Sequence, residues 1–249
     1  MHPYLSDTPP VAFAHRGGAG VYPENTLRAF EHAVELGYMY LETDVHLTRD
    51  GVLIAFHDSS LDRVTDSQGA IEDLTWEEVS AARIAGTDPI PRFDELMNAF
   101  PDARVNIDPK ADRTVEALAT AIRELAVEDR VCVTAFSRRR TRRVKALVGD
   151  GLCTGGATLA TLATMTGIGR RLFTRGVDVL QVPPRLGVLT VVRRGFVDRA
   201  HRWGMHVHVW TIDDPDEMNR LLDLGVDGIM TDEPAVLRDV FESRGLTLA

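Results

Sequence analysis

Cysteine is nearly missing from this 249-residue chain. Its two, Cys132 and Cys153, are too few for a disulfide framework, and neither sits in a CxxC motif. Each lies in an apolar run and reads as a small buried hydrophobe. No apolar stretch approaches the roughly 18 residues that a membrane span needs. The opening Met1-His2-Pro3-Tyr4-Leu5-Ser6-Asp7 has no basic segment leading into an apolar one, so no secretory leader is read there. A cytoplasmic protein without stable membrane insertion is expected. Excess positive charge is missing too: the formal net charge is −9. With no basic stripe interleaved with aromatics, a nucleic-acid partner is excluded. The densest basic run, Arg138-Arg139-Arg140-Thr141-Arg142-Arg143, falls where a helix should begin and reads as a solvated helix face. No Pro/Gly/Ser-rich linker or low-complexity segment divides the chain.

What is present is alternation. Short β-rich runs are expected at 11–14, 40–47, 104–107, 131–136, 152–155, 177–182, 207–212 and 228–230. Helical patterns fall between them, at 27–36, 114–126, 139–148, within 159–174, and at 195–203, 216–224 and 235–244. Asn25 and Thr26 are candidate caps for the first helix. Asp50-Gly51 marks a tight turn, with a return strand at 52–56. About eight β/α units in this length predict an α/β fold: a single (β/α)₈ barrel over residues 1–249. A short irregular insertion at 59–103 follows the second unit, with small helices near 76–82 and 93–100. An open doubly wound sheet would need fewer units or a phosphate-binding glycine loop. His15-Arg16-Gly17-Gly18-Ala19-Gly20 fits neither the GxGxxG nor the P-loop pattern.

The expected strands end in charge. His15-Arg16, Glu42-Thr43-Asp44, His57-Asp58 and Asp108-Pro109-Lys110 each close an apolar run. Charged groups are seldom buried unless paired or metal-bound. Several strands ending this way point to one shared polar site at the barrel mouth. Glu42, Asp44 and His46 share one strand face. Two carboxylates so placed repel unless a cation intervenes, and a hard divalent ion with oxygen ligands suits them, with Asp108 as a third donor. Simple pairing with Arg16 and Lys110 is the alternative, and His46 reads as a packed histidine rather than a ligand. His15 and His57 suit general acid–base work. Arg16 and Lys110 suit a phosphate. Trp210 suits an apolar substrate wall. Gln181 is either a substrate donor or a satisfied core amide, Asp232 either a cap for the last helix or a site residue. His206 reads as structural.

These residues resemble the glycerophosphodiester phosphodiesterase family. The match runs through His15-Arg16-Gly17, Pro23-Glu24-Asn25-Thr26, Glu42-Thr43-Asp44-Val45, His57-Asp58, Leu61, Arg63, Val209-Trp210-Thr211 and Gly225-Val226-Asp227-Gly228 to Thr231-Asp232. It spans nearly the whole chain in order. The resemblance implies a TIM barrel that hydrolyses glycerophosphodiesters to sn-glycerol 3-phosphate and an alcohol, in glycerophospholipid catabolism. It implies one divalent cation, Mg²⁺ or Ca²⁺, on Glu42, Asp44 and Asp108. His15 and His57 would be the acid–base pair, with Arg16 and Lys110 on the phosphate. The family usually has glutamate where this chain has Asp108, a donor one methylene shorter. Two other functions fit the same barrel: phospholipase D-like hydrolysis of lysophospholipids, which needs an apolar groove or membrane-binding loop, and non-catalytic binding of phosphate ligands. The short insertion and the acidic charge argue against strong membrane attachment.

Overall fold

The computed structural model describes residues 2–156 and 158–248. The first strand, β1 (Val11–Ala14), is buried throughout. It runs into a tight turn, and helix α1 (Leu27–Glu35) follows. The Thr26 hydroxyl caps α1 by accepting from the amide of Ala29. Strand β2 (Tyr40–Leu47) turns at Gly51 (φ +89°) into β3 (Leu53–Ala55), which pairs antiparallel with it.

The segment after β3 carries α2 (Trp76–Ala81), a ribbon of β4 (Arg83–Ile84) and β5 (Asp88–Pro89), and α3 (Phe93–Ala99). Thr75 and Glu78 form a capping box at the start of α2. This segment is less irregular than its sequence suggests, because Ile54, Phe56, Leu61, Ile71, Val79 and Ile84 share a small apolar cluster.

The chain then alternates strand and helix, with one paired helix and one ribbon. It passes through β6 (Arg104–Pro109), α4 (Thr114–Glu124), β7 (Val131–Val133), α5 (Arg138–Val148) and β8 (Cys153–Gly156). Next come α6 (Thr158–Thr166), α7 (Arg170–Phe173) and β9 (Val179–Val182). A two-stranded ribbon, β10 (Arg185–Leu186) with β11 (Leu189–Thr190), rises before α8 (Arg194–Arg202). The last units are β12 (His206–Val209), α9 (Pro215–Asp223), β13 (Gly228–Thr231) and α10 (Pro234–Ser243).

Strands β1, β2, β6, β7, β8, β9, β12 and β13 pair in parallel in that order, and β13 pairs back to β1. The sheet is therefore a closed eight-stranded barrel with helices between its strands. Side chains alternate inward and outward along each strand. Val207 and Val209 pack outward with Phe196, Val197 and Leu221. The lumen is filled by Phe13, Tyr40, Cys132, Cys153, Val179 and Met230, with Tyr4 packed among them. Both cysteines are free.

Three sequence expectations change. The helical stretch at 159–174 is two helices, because Gly167 and Gly169 both take positive φ and stop the first. The strands expected at 131–136 and 207–212 end at Val133 and Val209, where the chain leaves the sheet to enter the mouth loops. The ribbon β10–β11 has no counterpart in the sequence reading.

Candidate active site

The C-terminal ends of the barrel strands enclose one cavity. His15, Arg16, Glu42, Asp44, His57, Asp108, Lys110 and Trp210 all line it. These eight candidates thus converge on one place, although their elements are far apart in sequence.

The turn after β1 is built for this. Arg16, Gly17 and Gly18 all take positive φ, 50°, 86° and 85°. A Cβ on Gly17 would lie 2.9 Å from the backbone nitrogen of Phe30, so only glycine lets the chain pass α1 here. The fold aims the Arg16 amide at Glu42 Oε2, 3.2 Å away. Strain held by surrounding contacts is common where a site needs an unusual backbone. Asn25, the other candidate cap, also takes a positive φ (58°). It accepts from the Thr43 hydroxyl at 2.7 Å rather than capping α1.

Both histidines are anchored the same way. His15 Nδ1 lies 2.8 Å from Asp232 Oδ1, and His57 Nδ1 lies 2.6 Å from Asp58 Oδ1. A carboxylate on Nδ1 fixes the tautomer and leaves Nε2 for the cavity. Burial disfavours charge on His15, but the Glu42 carboxylate, with the Asp232 hydrogen bond, outweighs it and raises the pKa. Asp58 is itself gripped by Arg63, at 2.5 and 3.1 Å, which holds its pKa down at about 2. His46 bonds the His57 carbonyl through Nε2 at 3.1 Å, so it supports the loop, as a packed histidine should.

The carboxylates form a second group. Glu42 and Asp44 share the inward face of β2, and Asp44 is in register with Asp108 on β6. Burial, and then the neighbouring Asp44 charge, push the Glu42 pKa up to about 7. Burial likewise raises Asp108, against the pull of Lys110. The Lys110 ammonium sits between Asp44 Oδ1 (2.7 Å) and Asp108 Oδ2 (3.0 Å). Arg16 Nε lies 3.2 Å from Asp44 Oδ2 without hydrogen-bond alignment, and that buried oxygen has no hydrogen bond.

These donors fit a hard divalent cation in kind: three carboxylates, one orphaned oxygen, and a charge that burial leaves undercompensated. Among the described residues no three such groups are already drawn to metal-binding spacing. The ammonium of Lys110 holds the place of a cation between two of them.

Glu24 and Arg63, to which sequence reasoning gave no role, tie residues of the cavity together. Glu24 accepts from Arg16 at 3.1 Å and from both terminal nitrogens of Arg63, at 2.7 and 3.1 Å. One chain of ion pairs therefore links Arg16 to the carboxylate behind His57. The signal available was the spacing of Arg63 five residues after Asp58. Asp232 bonds His15 rather than capping α10, whose cap position is occupied by Glu233. Gln181 lines the cavity but is satisfied by Asn106, donating at 2.7 Å. Trp210 packs edge-on against Phe136, ring centres 5.8 Å apart, and with Leu186 and Pro183 gives the cavity an apolar part of its lining.

Known proteins share this arrangement of chain. Residues 15–236 match the Glycerophosphoryl diester phosphodiesterase family. A Mycobacterium tuberculosis protein named probable glycerophosphodiester phosphodiesterase 2 is 40% identical over 242 residues, covering 94% of this chain and 92% of its own. A glycerophosphodiester phosphodiesterase of Caldanaerobacter subterraneus is 31% identical over 252 residues, 94% of this chain and 99% of its own. Among solved structures, an Oleispira antarctica phosphodiesterase in complex with the product sn-glycerol-3-phosphate superposes with a TM-score of 0.81 at 22% identity. That match covers 94% of this chain and 97% of the other. The chain belongs to the glycerophosphoryl diester phosphodiesterase family.

Proposed function

We propose that this protein hydrolyses glycerophosphodiesters to sn-glycerol 3-phosphate and an alcohol, as a step of glycerophospholipid breakdown, with one divalent cation, Mg²⁺ or Ca²⁺, as cofactor. The observation that carries the reading is the pair of carboxylate-anchored histidines facing one cavity with three acids and two cations. The names of the relatives and the product bound to the Oleispira antarctica enzyme support it. Glu42, Asp44 and Asp108 would hold the cation. When bound, such an ion supplies positive charge to the phosphate oxygens and lowers the cost of charge build-up on them.

The chain's own groups do the rest. Arg16 and Lys110 bind and orient the phosphate. One histidine takes a proton through Nε2 from the attacking hydroxyl, while the other gives one to the departing alkoxide oxygen. The new P–O bond forms as the bond to the alcohol breaks. The same two groups serve whether the nucleophile is water or the substrate's own neighbouring hydroxyl. In the second case the acid and base exchange roles when water opens the cyclic phosphate. Asp232 and Asp58 keep both rings in register.

A second reading, phospholipase D-like hydrolysis of lysophospholipids, is favoured by the apolar wall of Phe136, Leu186 and Trp210. A non-catalytic barrel has less support, since both histidines and all three carboxylates are present, with Asp108 standing where the family usually has glutamate. The two free buried cysteines suit a reducing compartment and support a cytoplasmic location. Among the described residues no helix is long and apolar enough to cross a membrane.

The test is enzymatic detection of glycerol 3-phosphate released from glycerophosphocholine, run beside lysophosphatidylcholine as substrate. Release from the soluble diester supports the proposal. Choline release from the lysolipid alone would replace it with the second reading.

A further inference from the structure

The net charge of −9 conceals a sharp asymmetry. Residues 131–195 carry twelve of the 28 Lys and Arg residues but only two of the 37 Asp and Glu residues, Asp150 and Asp178. This segment has a local charge of +10 inside a chain that is otherwise strongly acidic. It is also where the surface is apolar. Among the described residues ten large hydrophobic side chains are exposed, and eight of them lie between 136 and 189.

These residues occupy one flank of the barrel, from β7 to the ribbon β10–β11. Val188, at the ribbon's turn, is 99% exposed, and Leu189 beside it 60%. Phe136 is 70% exposed, while Leu159 and Leu162 open the outer face of α6. Phe136 and Leu186 also line the active-site cavity, so the patch begins where the cavity wall ends. Helices α5 and α7 join the flank, with Arg138 donating to the Leu172 carbonyl at 2.8 Å.

Acids in and just before α4 answer part of the charge: Asp112 pairs with Arg139 and Arg140, and Glu116 with Arg143. Among the described residues, Arg138, Arg142, Arg170, Arg171, Arg175 and Arg185 have no carboxylate within the 4.0 Å of a salt bridge.

Exposed aliphatics and arginines without carboxylate partners on one flank are what an anionic lipid surface recognises. The apolar side chains enter the headgroup boundary and the arginines meet its negative potential. Nucleic acid fits less well, because Phe136 is the one ring among the eight exposed apolar side chains of this flank, too few for successive bases to stack on. A second copy fits less well, because a two-fold contact would set like charge against like. We propose that this flank is a docking surface for bilayers rich in anionic phospholipid, which brings the mouth of the cavity against the membrane. The attachment is peripheral and reversible. The proposal uses the site described above only to say where the mouth lies, and it is read by binding rather than turnover.

The experiment is sedimentation of the full chain with extruded vesicles, either phosphatidylcholine alone or phosphatidylcholine mixed with phosphatidylglycerol. The protein is expected to pellet with the mixed vesicles, to stay in solution with the neutral ones, and to be released by sodium chloride. Two variants, Val188→Asp with Leu189→Asp and Arg142→Glu with Arg171→Glu, should each lower partitioning by about tenfold or more. Their hydrolysis of a soluble diester should be unchanged. All four positions are exposed, so folding is retained, and circular dichroism checks it. No pelleting with anionic vesicles, or equal partitioning of wild type and both variants, would overturn the proposal. So would tight binding of duplex DNA, or a dimer that the variants dissociate, with the vesicles left unbound.

Discussion

Replacing Glu42 with glutamine should stabilise the metal-stripped protein above neutral pH. Burial and the Asp44 charge raise this carboxyl from 4.5 to about 7 in the native state. Between those two values the native chain holds a proton that the unfolded chain has released, so stability falls as pH rises through the window. A shift of about 2.5 units at about 1.4 kcal/mol each costs roughly 3 kcal/mol once pH exceeds 7. Glutamine keeps the shape, can still accept from the Arg16 amide, and carries no charge to bury. Urea unfolding of wild type and Glu42→Gln, both in chelator, reads the difference. At about pH 4 the two should be nearly equal, and at about pH 8 the variant should be more stable by about 2–3 kcal/mol. Adding Mg²⁺ or Ca²⁺ should reverse the order, because the ion stabilises the native state that binds it. A variant that is less stable at about pH 8 in chelator, or a difference that does not change with pH, would refute the electrostatic reasoning.

His15→Asn and His57→Asn should each lower kcat by about 10²–10⁴ with the fold intact, read by product release and circular dichroism. Asp232→Asn removes the carboxylate that holds His15 and should cost roughly ten- to a hundredfold in kcat with little change in KM. Its unfolding midpoint should stay close to that of wild type. Gly17→Ala puts a Cβ against the backbone of α1 at a positive φ and should cost about 1–3 kcal/mol in urea unfolding.

Much of this site is legible in the sequence for a physical reason. Strand β2 alternates strictly, so a period of two alone puts Glu42 and Asp44 on one face, and the strand's bounds follow to the residue. The pairs His15-Arg16 and Asp108-Lys110 stand at the ends of apolar runs where barrel strands open into the mouth, and His57-Asp58 follows the apolar return strand β3 beside them. What sequence leaves open depends on contacts across the chain. Asp232 and His15 are 217 residues apart, and the Arg63–Glu24 pair spans 39. No periodicity encodes such a pairing. The ribbon β10–β11 is two residues a side, too short to show alternation. The break between α6 and α7 lies in a run of Ala, Thr, Leu and Gly with no sharp polar face, so its glycines alone mark it. The positive flank is hidden by averaging: net charge describes a chain, while a membrane meets one surface of it.

The most direct test of the central proposal is the release of sn-glycerol 3-phosphate from glycerophosphocholine by protein stripped with chelator, with Mg²⁺ or Ca²⁺ then restored. The account predicts no release in chelator, recovery with one of these ions, and no recovery in His15→Asn or His57→Asn. Undiminished release in chelator would contradict the metal assignment of Glu42, Asp44 and Asp108. Folded protein that releases nothing with either ion would contradict the proposed reaction.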